Sequence, residues 1–318
     1  MTLVDSHLHV NFEGFTLTKL VKYLDQEHID LCWMLTWEEV NSGYWDYKHL
    51  SVEGVYDVFL KYPSRIIPFY APDPHRSDAT LQMETWFQKG IRGYGELKAT
   101  LNWNSQQMIP VLKTARKLKM PIVFHMEESE NRDMPYSSKI WDKVLFYGMR
   151  SENKIYRIPR KILLVLEKYY TPLKNRKKSY FFPGYMLDFA SLEATLVEYP
   201  DVNFVAHGQM FWKNISAEGI DHKEAYPNGQ IVIDGIIWRL LKDYPNLYAD
   251  ISAMSGLNAL QRDTPNAKRF LSLFQNKILY GTDGLMAGQR EFLKSLGLAK
   301  EALDKIFGEN AKHLIGLS

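Results

Sequence analysis

The chain has 318 residues, 46% of them hydrophobic, and a formal net charge of +2. This length suffices for one large closed α/β domain with a buried site, and the near-balanced charge gives no global reason to expect nucleic-acid or membrane binding. A single cysteine, Cys32, excludes an internal disulfide, and the sequence shows neither a secretory leader nor an apolar run of about 20 residues, so we expect a soluble, cytoplasmic protein.

Eight apolar, β-rich segments recur along the chain with helical segments between them. They cover residues 3–10, 31–36, 65–70, 91–98, 121–126, 202–207, 246–252 and 277–283. Helical periodicity is clear at 15–29 and 105–119, where apolar side chains recur every three or four residues. Alternating strands and helices predict a parallel sheet, and eight strands are the number that closes a (β/α)8 barrel. We therefore predict an α/β fold of the TIM-barrel type.

An insertion interrupts this alternation after the fifth strand, because the next strand begins about 80 residues later, far more than one strand-plus-helix unit needs. We expect residues 128–186 to form a helical cap or lid, with helices near 139–147 and 159–170, within a single 1–318 domain. Residues 143–178 carry eleven Lys or Arg and two acidic residues. This segment is either a solvated helical face or a surface that attracts an anionic substrate.

Candidate metal ligands lie at the ends of several predicted strands. His7 and His9 are two residues apart on the first strand, so their imidazoles point to the same face and can reach one point. Further candidates end later strands, namely Glu96, Lys98, His125, His207 and Asp283. Barrel enzymes present their reactive groups at this end of the strands. Four imidazoles and two carboxylates on one rim are a ligand set for one or two divalent cations.

This ordered set of residues resembles the metal-dependent amidohydrolase superfamily. The stretches 306–317 and 246–252 resemble its amidohydrolase-2 branch, and the likeness spans nearly the whole chain apart from the 128–186 insertion. The resemblance implies an enzyme with one or two divalent ions. Zinc is the favoured metal, and manganese is the alternative. That branch includes hydrolases, lactonases, hydratases and non-oxidative decarboxylases, so the resemblance does not fix the reaction.

In a two-ion arrangement, Glu96 bridges the ions. One ion is then held by His7, His9 and Asp283, and the other by His125 and His207. This arrangement predicts a hydrolase in which metal-activated hydroxide attacks an amide, ester or lactone bond of a small, anionic substrate. Asp283 would pass a proton to the leaving group.

In a one-ion arrangement, His207 is free to act as general acid or base and Glu96 orients a ligand histidine. The ligands are then His7, His9, His125 and Asp283. This arrangement resembles the decarboxylase members of the branch and predicts a lyase. A phosphodiesterase and a non-catalytic metal-binding barrel are the less favoured interpretations. A small molecule is favoured over nucleic acid as the binding partner. The sequence leaves open whether the protein forms a homo-oligomer.

Three residues are candidate substrate contacts. Lys98 lies on the same strand face as Glu96. Its ammonium either holds a substrate carboxylate or phosphate or pairs with a neighbouring acid. Alternatively, Lys98 replaces Glu96 as the metal ligand of the fourth strand. Trp103 and Trp212, together with Trp37, follow predicted strands. These indoles could wall a pocket for a ring, although aromatic residues in barrel loops more often pack beneath the lid.

Overall fold

The computed structural model describes residues 2–10, 16–36, 38, 50–134, 178–186, 188–220, 224–283 and 288–317. The strands in these ranges are β1 (Val4–Leu8), β2 (Leu31–Met34), β3 (Ile66–Pro68), β4 (Tyr94–Leu97), β5 (Ile122–His125), β6 (Glu130–Met134), β7 (Lys178–Phe182), β8 (Phe204–His207), β9 (Leu247–Asp250) and β10 (Ile278–Leu279). The helices are α1 (Leu17–Gln26), α2 (Val52–Lys61), α3 (Ala79–Lys89), α4 (Met108–Leu118), α5 (Phe189–Glu198), α6 (Gln209–Lys213), α7 (Ile236–Asp243), α8 (Ala253–Gln261), α9 (Thr264–Leu273), α10 (Gln289–Ser295), α11 (Lys300–Asp304) and α12 (Asn310–Leu314). A 3-10 helix covers Ala217–Ile220 and a π-helical turn covers Lys305–Glu309.

Eight parallel strands close into a barrel. The first sheet has the order β1-β2-β3 and the second the order β10-β9-β8-β5-β4. A parallel bridge between Phe69 and Gly93 joins the β3 side to the β4 side. The Ser6 amide donates to the Tyr280 carbonyl at 2.9 Å and joins β1 to the end of β10. The predicted TIM-barrel fold is therefore confirmed, and each of its eight strands falls within a segment predicted from the sequence.

Two apolar layers stabilise the barrel. Its interior is filled by Val4, Trp33, Leu35, Phe69, Val123, Val205 and Leu279, against which Ala311 and Leu314 of α12 also pack. A larger cluster fills the space between the strands and the surrounding helices, and Cys32 is a fully buried, free thiol within it. Because strand side chains alternate between these two layers, the strand ends can direct polar side chains into the barrel mouth.

The helix ends have local causes. Ser51 caps α2 by accepting a hydrogen bond from the Gly54 amide at 3.3 Å, and Asp263 caps α9 by accepting one from the Asn266 amide at 3.1 Å. After α4 the chain turns through Lys119, whose φ of 53° is left-handed, and Pro121 follows. Helices were predicted at 15–29 and 105–119, and the structure shortens both.

The described ends of the insertion pair with each other as a hairpin. Strands β6 and β7 are antiparallel, with Glu130 opposite Phe182 and Met134 opposite Lys178. The sequence predicted a helical insertion and did not predict this hairpin at its ends. The polar β6 segment lacks the alternation of apolar residues that reveals a strand in a sequence. The helices predicted near 139–147 and 159–170, and the basic segment 143–178 apart from its last residue, lie outside the described residues.

No helix within the described part of the chain is long and apolar enough to cross a bilayer.

Candidate metal centre

The six predicted ligands lie together at the carboxyl ends of the strands. His7 is inside β1, and His125 and His207 end two strands whose registers place them side by side. Five of the six are buried, with at most 8% of each residue exposed, while the Asp283 side chain is 20% exposed. The site is therefore a deep polar cluster with one carboxylate at its opening.

Irregular pairing in β1 aims its histidines into the barrel. In a regular strand Val4 and Leu8 would share a face, yet Val4 belongs to the barrel interior and Leu8 to the outer layer. The register between β1 and β2 shifts between Asp5 and Leu8. Such a shift changes which side chains point inward, as bulges near active sites commonly do.

Strand β4 has a similar irregularity beside Glu96. Its register against β5 shifts between Tyr94 and Leu97, and both of these side chains pack in the outer layer. Glu96 lies between them in sequence and extends into the polar cluster. The two irregular strands therefore supply three of the six ligands.

Glu96 lies between two pairs of histidines. Its Oε2 atom is 3.6 Å from His7 Nε2 and 3.4 Å from His9 Nε2. Its Oε1 atom is 2.9 Å from His125 Nδ1 and 4.0 Å from His207 Nε2. The two oxygens of one carboxylate thus face different pairs, which is the placement expected of a bridging ligand.

Asp283 completes the His7–His9 side of the cluster. Its Oδ1 atom is 3.5 Å from His9 Nε2, and its backbone amide donates to the His7 carbonyl at 2.8 Å. Asp283 has a left-handed φ of 54°, a conformation that Asp tolerates better than most residues. Next to it, the Thr282 hydroxyl donates to the buried Asp5 carboxylate at 2.5 Å. This contact ties β1 to the segment after β10.

The buried carboxylate of Asp250 orients two of the histidines. Its Oδ2 lies 2.9 Å from His7 Nδ1 and its Oδ1 lies 3.0 Å from His207 Nδ1. The Ser252 hydroxyl contacts the same carboxylate, and the Trp212 indole donates to the Asp250 carbonyl at 2.8 Å. With their Nδ1 atoms engaged, both histidines direct Nε2 into the cluster. This is the usual outer support of a metal-binding imidazole.

The cluster fits a divalent cation. His7 Nε2 and Asp283 Oδ1 are buried yet make no hydrogen bond to any of the described residues, which is costly unless another partner is present. Nitrogen and oxygen ligands about 2.0–2.2 Å from an ion in tetrahedral geometry lie roughly 3.4 Å from one another. The separations of 3.4–3.6 Å in the pairs His7–Glu96, His9–Glu96 and His9–Asp283 are close to that value. A second group within ligand distance is formed by Glu96, His125 and His207.

The charges in the cluster shift the pKa of several groups. Burial disfavours the charged form of His7, but Asp250 and Glu96 outweigh it and raise the His7 pKa well above its usual value. Burial, together with the neighbouring His7 and His125, lowers the pKa of His207 despite Asp250. Burial opposes ionisation of Glu96, yet Lys98 and His7 hold its pKa well below the usual range. Glu96 is thus held in its ionised form, the form that can bind a cation.

Comparison with protein families gives a match to the amidohydrolase-2 model, described as amidohydrolase, over residues 37–317. The chain belongs to the amidohydrolase-2 family. The matched range includes four of the six predicted ligands of this family member, while His7 and His9 precede it. A search of curated proteins finds no significant match.

Solved structures share the barrel of this amidohydrolase-2 family member. An uncharacterised TIM-barrel protein from Bordetella bronchiseptica has a TM-score of 0.59 at 14% identity, with 99% of each chain covered. A probable 2-pyrone-4,6-dicarboxylic acid hydrolase from Acinetobacter baumannii, solved with citric acid bound, has a TM-score of 0.58 at 13% identity, with 100% of each chain covered. A dihydroxybenzoic acid decarboxylase from Polaromonas, with manganese and an inhibitor bound, has a TM-score of 0.53 at 13% identity and covers 99% and 97% of the two chains. At these identities the likeness establishes the fold.

The predicted substrate contacts have different surroundings in this family member. Lys98 Nζ is 3.2 Å from Glu96 Oε2, so these two side chains form an ion pair. Trp103 and Trp212 are fully buried. The Trp103 ring packs edge-on against Phe124 in the outer layer. Neither Trp103 nor Trp212 has surface left for a substrate, so of the two roles considered for these indoles the structure favours packing. Trp37 lies outside the described residues.

Sequence reasoning missed two acidic residues at this site. Asp250 ends β9, so the strand-end rule that selected His125 and His207 also applies to it, although it orients ligands and is not itself one of the six. Glu127 follows β5, and its Oε2 atom lies 3.3 Å from His125 Nε2. Its position two residues after a strand-end histidine was the available signal.

Proposed function

We propose that this chain is a metal-dependent hydrolase that cleaves an amide, ester or lactone bond of a small, anionic substrate. The observation that carries the proposal is the position of Glu96, whose two oxygens face the His7–His9 pair and the His125–His207 pair at 2.9–4.0 Å. A carboxylate placed in this way can bridge two divalent ions. Ions bound there would polarise the substrate carbonyl and promote ionisation of the attacking water.

The chain's own residues have distinct roles in this proposal. Asp283, the partly exposed carboxylate at the opening, accepts the proton of the attacking water and transfers it to the leaving group. His207 serves as a ligand whose orientation is set by Asp250. The Lys98 ammonium, 3.2 Å from Glu96 and largely buried, attracts the anionic group of the substrate while it also balances the charge of Glu96.

The remaining parts of the proposal concern the surroundings of the site. The 128–186 insertion begins three residues after His125 and so is suited to act as a lid, because it emerges at the face of the barrel that carries the ligands. Zinc is the first choice of metal on the basis of the histidine-rich ligand set, with manganese as the alternative. A cytoplasmic location is proposed on the basis of the single, buried, free Cys32.

A decarboxylase with one ion is the second candidate. It is favoured by the 2.9 Å contact between Glu96 Oε1 and His125 Nδ1, since a carboxylate that orients a ligand histidine makes a contact of this kind. In that arrangement His207 acts as acid or base next to Asp250.

Two assays and one substitution distinguish these candidates. Metal-stripped protein is reloaded with Zn2+ or Mn2+ and assayed with lactones such as 2-pyrone-4,6-dicarboxylate, for hydrolysis, and with dihydroxybenzoates, for release of carbon dioxide. The hydrolase proposal predicts hydrolysis, and it predicts that His207→Asn loses one of two metal equivalents. Carbon dioxide release, with His207→Asn inactive but still holding its single ion, would support the second candidate. His313→Asn, at an exposed position on α12, is the matched control.

A further inference from the structure

Glu127 lies next to the metal centre but is not one of the six ligands. It is 4% exposed, and its Oε2 atom is 3.3 Å from His125 Nε2. On the other side of the same ring, Glu96 Oε1 is 2.9 Å from His125 Nδ1. The His125 imidazole thus lies between two buried carboxylates, with Nδ1 hydrogen-bonded to Glu96 and Nε2 facing Glu127 in an ion-pair contact. We propose that Glu127 is a positioning residue that fixes the orientation of His125.

Glu127 is itself held by two other segments. Its Oε1 atom accepts a hydrogen bond from Gln209 Nε2 at 2.7 Å. Its backbone amide donates to the Tyr185 carbonyl at 3.1 Å, and the Tyr185 amide donates to the Glu127 carbonyl at 2.8 Å. Gln209 comes two residues after His207, and Tyr185 follows β7. Glu127 therefore connects His125 to the segment that carries His207 and to the base of the β6–β7 hairpin.

This arrangement explains why a carboxylate is present at a buried position. A buried charge is costly unless polar partners compensate for it, and here His125 and Gln209 supply those partners. The carboxylate in turn limits rotation of the imidazole. Outer residues that orient a metal-binding histidine typically change metal affinity or activity by about 10–100-fold when they are removed. The consequence for the reaction rests on the proposed function, whereas the orientation of His125 does not.

The direct test is the imidazole spectrum of His125 in metal-free protein. Histidine side chains are labelled with 15N, and the His125 resonances are assigned by their loss in His125→Asn. We expect Glu127→Gln to move these resonances, Glu127→Asp to restore part of the change, and Gln209→Ala to move them in the same direction but less. Glu128→Gln is the matched control, because Glu128 is the next residue, its side chain is 40% exposed and it pairs with Lys213 at 2.6 Å.

Mn2+ binding supplies a second readout that requires no substrate. Glu127→Gln should raise the Kd for Mn2+ tenfold or more, whereas Glu128→Gln should leave it within twofold of the parent, with circular dichroism confirming that each variant is folded. Unchanged His125 resonances in Glu127→Gln, or equal changes in Glu128→Gln, would overturn the inference. If the parent protein binds no Mn2+ or Zn2+, the proposed function fails, and the His125 spectrum still decides the role of Glu127.

Discussion

At the residue scale, the orientation of the ligands depends on side chains that do not enter the ligand set. Asp250 is the clearest case, because one buried carboxylate contacts Nδ1 of both His7 and His207. A histidine that donates its Nδ1–H to a carboxylate presents an Nε2 lone pair to an ion. The position of this acid therefore decides which nitrogen of each ring faces the cluster.

Replacing Asp250 tests this role. We expect Asp250→Asn to weaken Mn2+ binding about 10–100-fold, because the amide can no longer accept from both imidazoles as a charged carboxylate does. Isothermal titration calorimetry measures the affinity. Asp201→Asn, which removes a 60% exposed acid paired with Arg116, should leave the affinity unchanged. Equal affinities in the parent and Asp250→Asn would contradict the role given to Asp250.

The strand-end rule selected residues that the structure brings together, but it did not select Asp250 or Glu127 beside them. His7, His9, Glu96, His125, His207 and Asp283 were selected because strand ends of a barrel meet at one face, and the structure brings all six together. The roles of Trp103 and Trp212 were left open between packing and a pocket wall, because the position of a residue after a strand does not say on which side of the barrel wall it packs. Lys98 was left between two roles, and its ion pair with Glu96 depends on a three-dimensional distance that a sequence does not contain.

At the element scale, the barrel wall limits which residues can occupy β4 and the segment before it. Gly93 lies against Phe69, and a Cβ added to it would lie 2.0 Å from Phe69 Cε1. The Phe69 ring is fully buried and stacked on Trp33 with 4.7 Å between centroids, so it has little room to move.

Gly93→Ala should therefore destabilise the protein by about 1–3 kcal/mol through overpacking of the barrel interior. Urea denaturation followed by tryptophan fluorescence measures the change. A variant as stable as the parent would show that the interior around Phe69 adapts more readily than its packing indicates.

Helices α5 and α7 are joined by a surface ion pair that depends on pH. Arg239 contacts both oxygens of Glu193 at 2.6 and 2.8 Å, and the Tyr244 hydroxyl donates to Glu193 at 2.5 Å. The Arg239 hydrogen bond, followed by that of Tyr244, lowers the Glu193 pKa to about 2. Because the folded pKa lies below the usual value, this contribution to stability is present above about pH 4.5 and is lost as the pH falls toward 2.

Glu193→Gln should accordingly lower the free energy of unfolding at pH 7 by about 0.5–1 kcal/mol, a small value because solvent screens the partly exposed pair. The difference from the parent should shrink between pH 4.5 and pH 3, as measured by urea unfolding at each pH. Glu198→Gln, an exposed acid on the same helix, is the control. A difference that stays constant with pH would assign the effect to something other than the Glu193 charge.

At the scale of the whole molecule, closure of the barrel assembles a site from residues far apart in sequence. The hydrogen bonds from Ser6 to Tyr280 and from Asp283 to His7 join the first strand to the last. The alternation of strands and helices was sufficient to predict this closed fold. It could not predict the β6–β7 hairpin, because the polar strand β6 has no apolar pattern that the sequence would reveal.

A cation that binds only the closed barrel should stabilise the whole protein. At a concentration 100 times its Kd the expected stabilisation is about 2.7 kcal/mol, so Mn2+ should raise the Tm of metal-free protein by several degrees in a scanning calorimeter. The increase should be smaller in Glu96→Gln, which lacks the central carboxylate. Absence of any increase at millimolar Mn2+ would argue against a site formed by the folded chain.

The metal content of the protein tests the two-ion site most directly. Metal-free protein is equilibrated with Mn2+ or Zn2+, freed of excess ion by gel filtration and measured by inductively coupled plasma mass spectrometry, with electron paramagnetic resonance of the manganese form. The account predicts two equivalents per chain, with spin-coupled manganese ions that Glu96→Gln uncouples or reduces in number. One equivalent or fewer of either metal in the folded parent protein would contradict it.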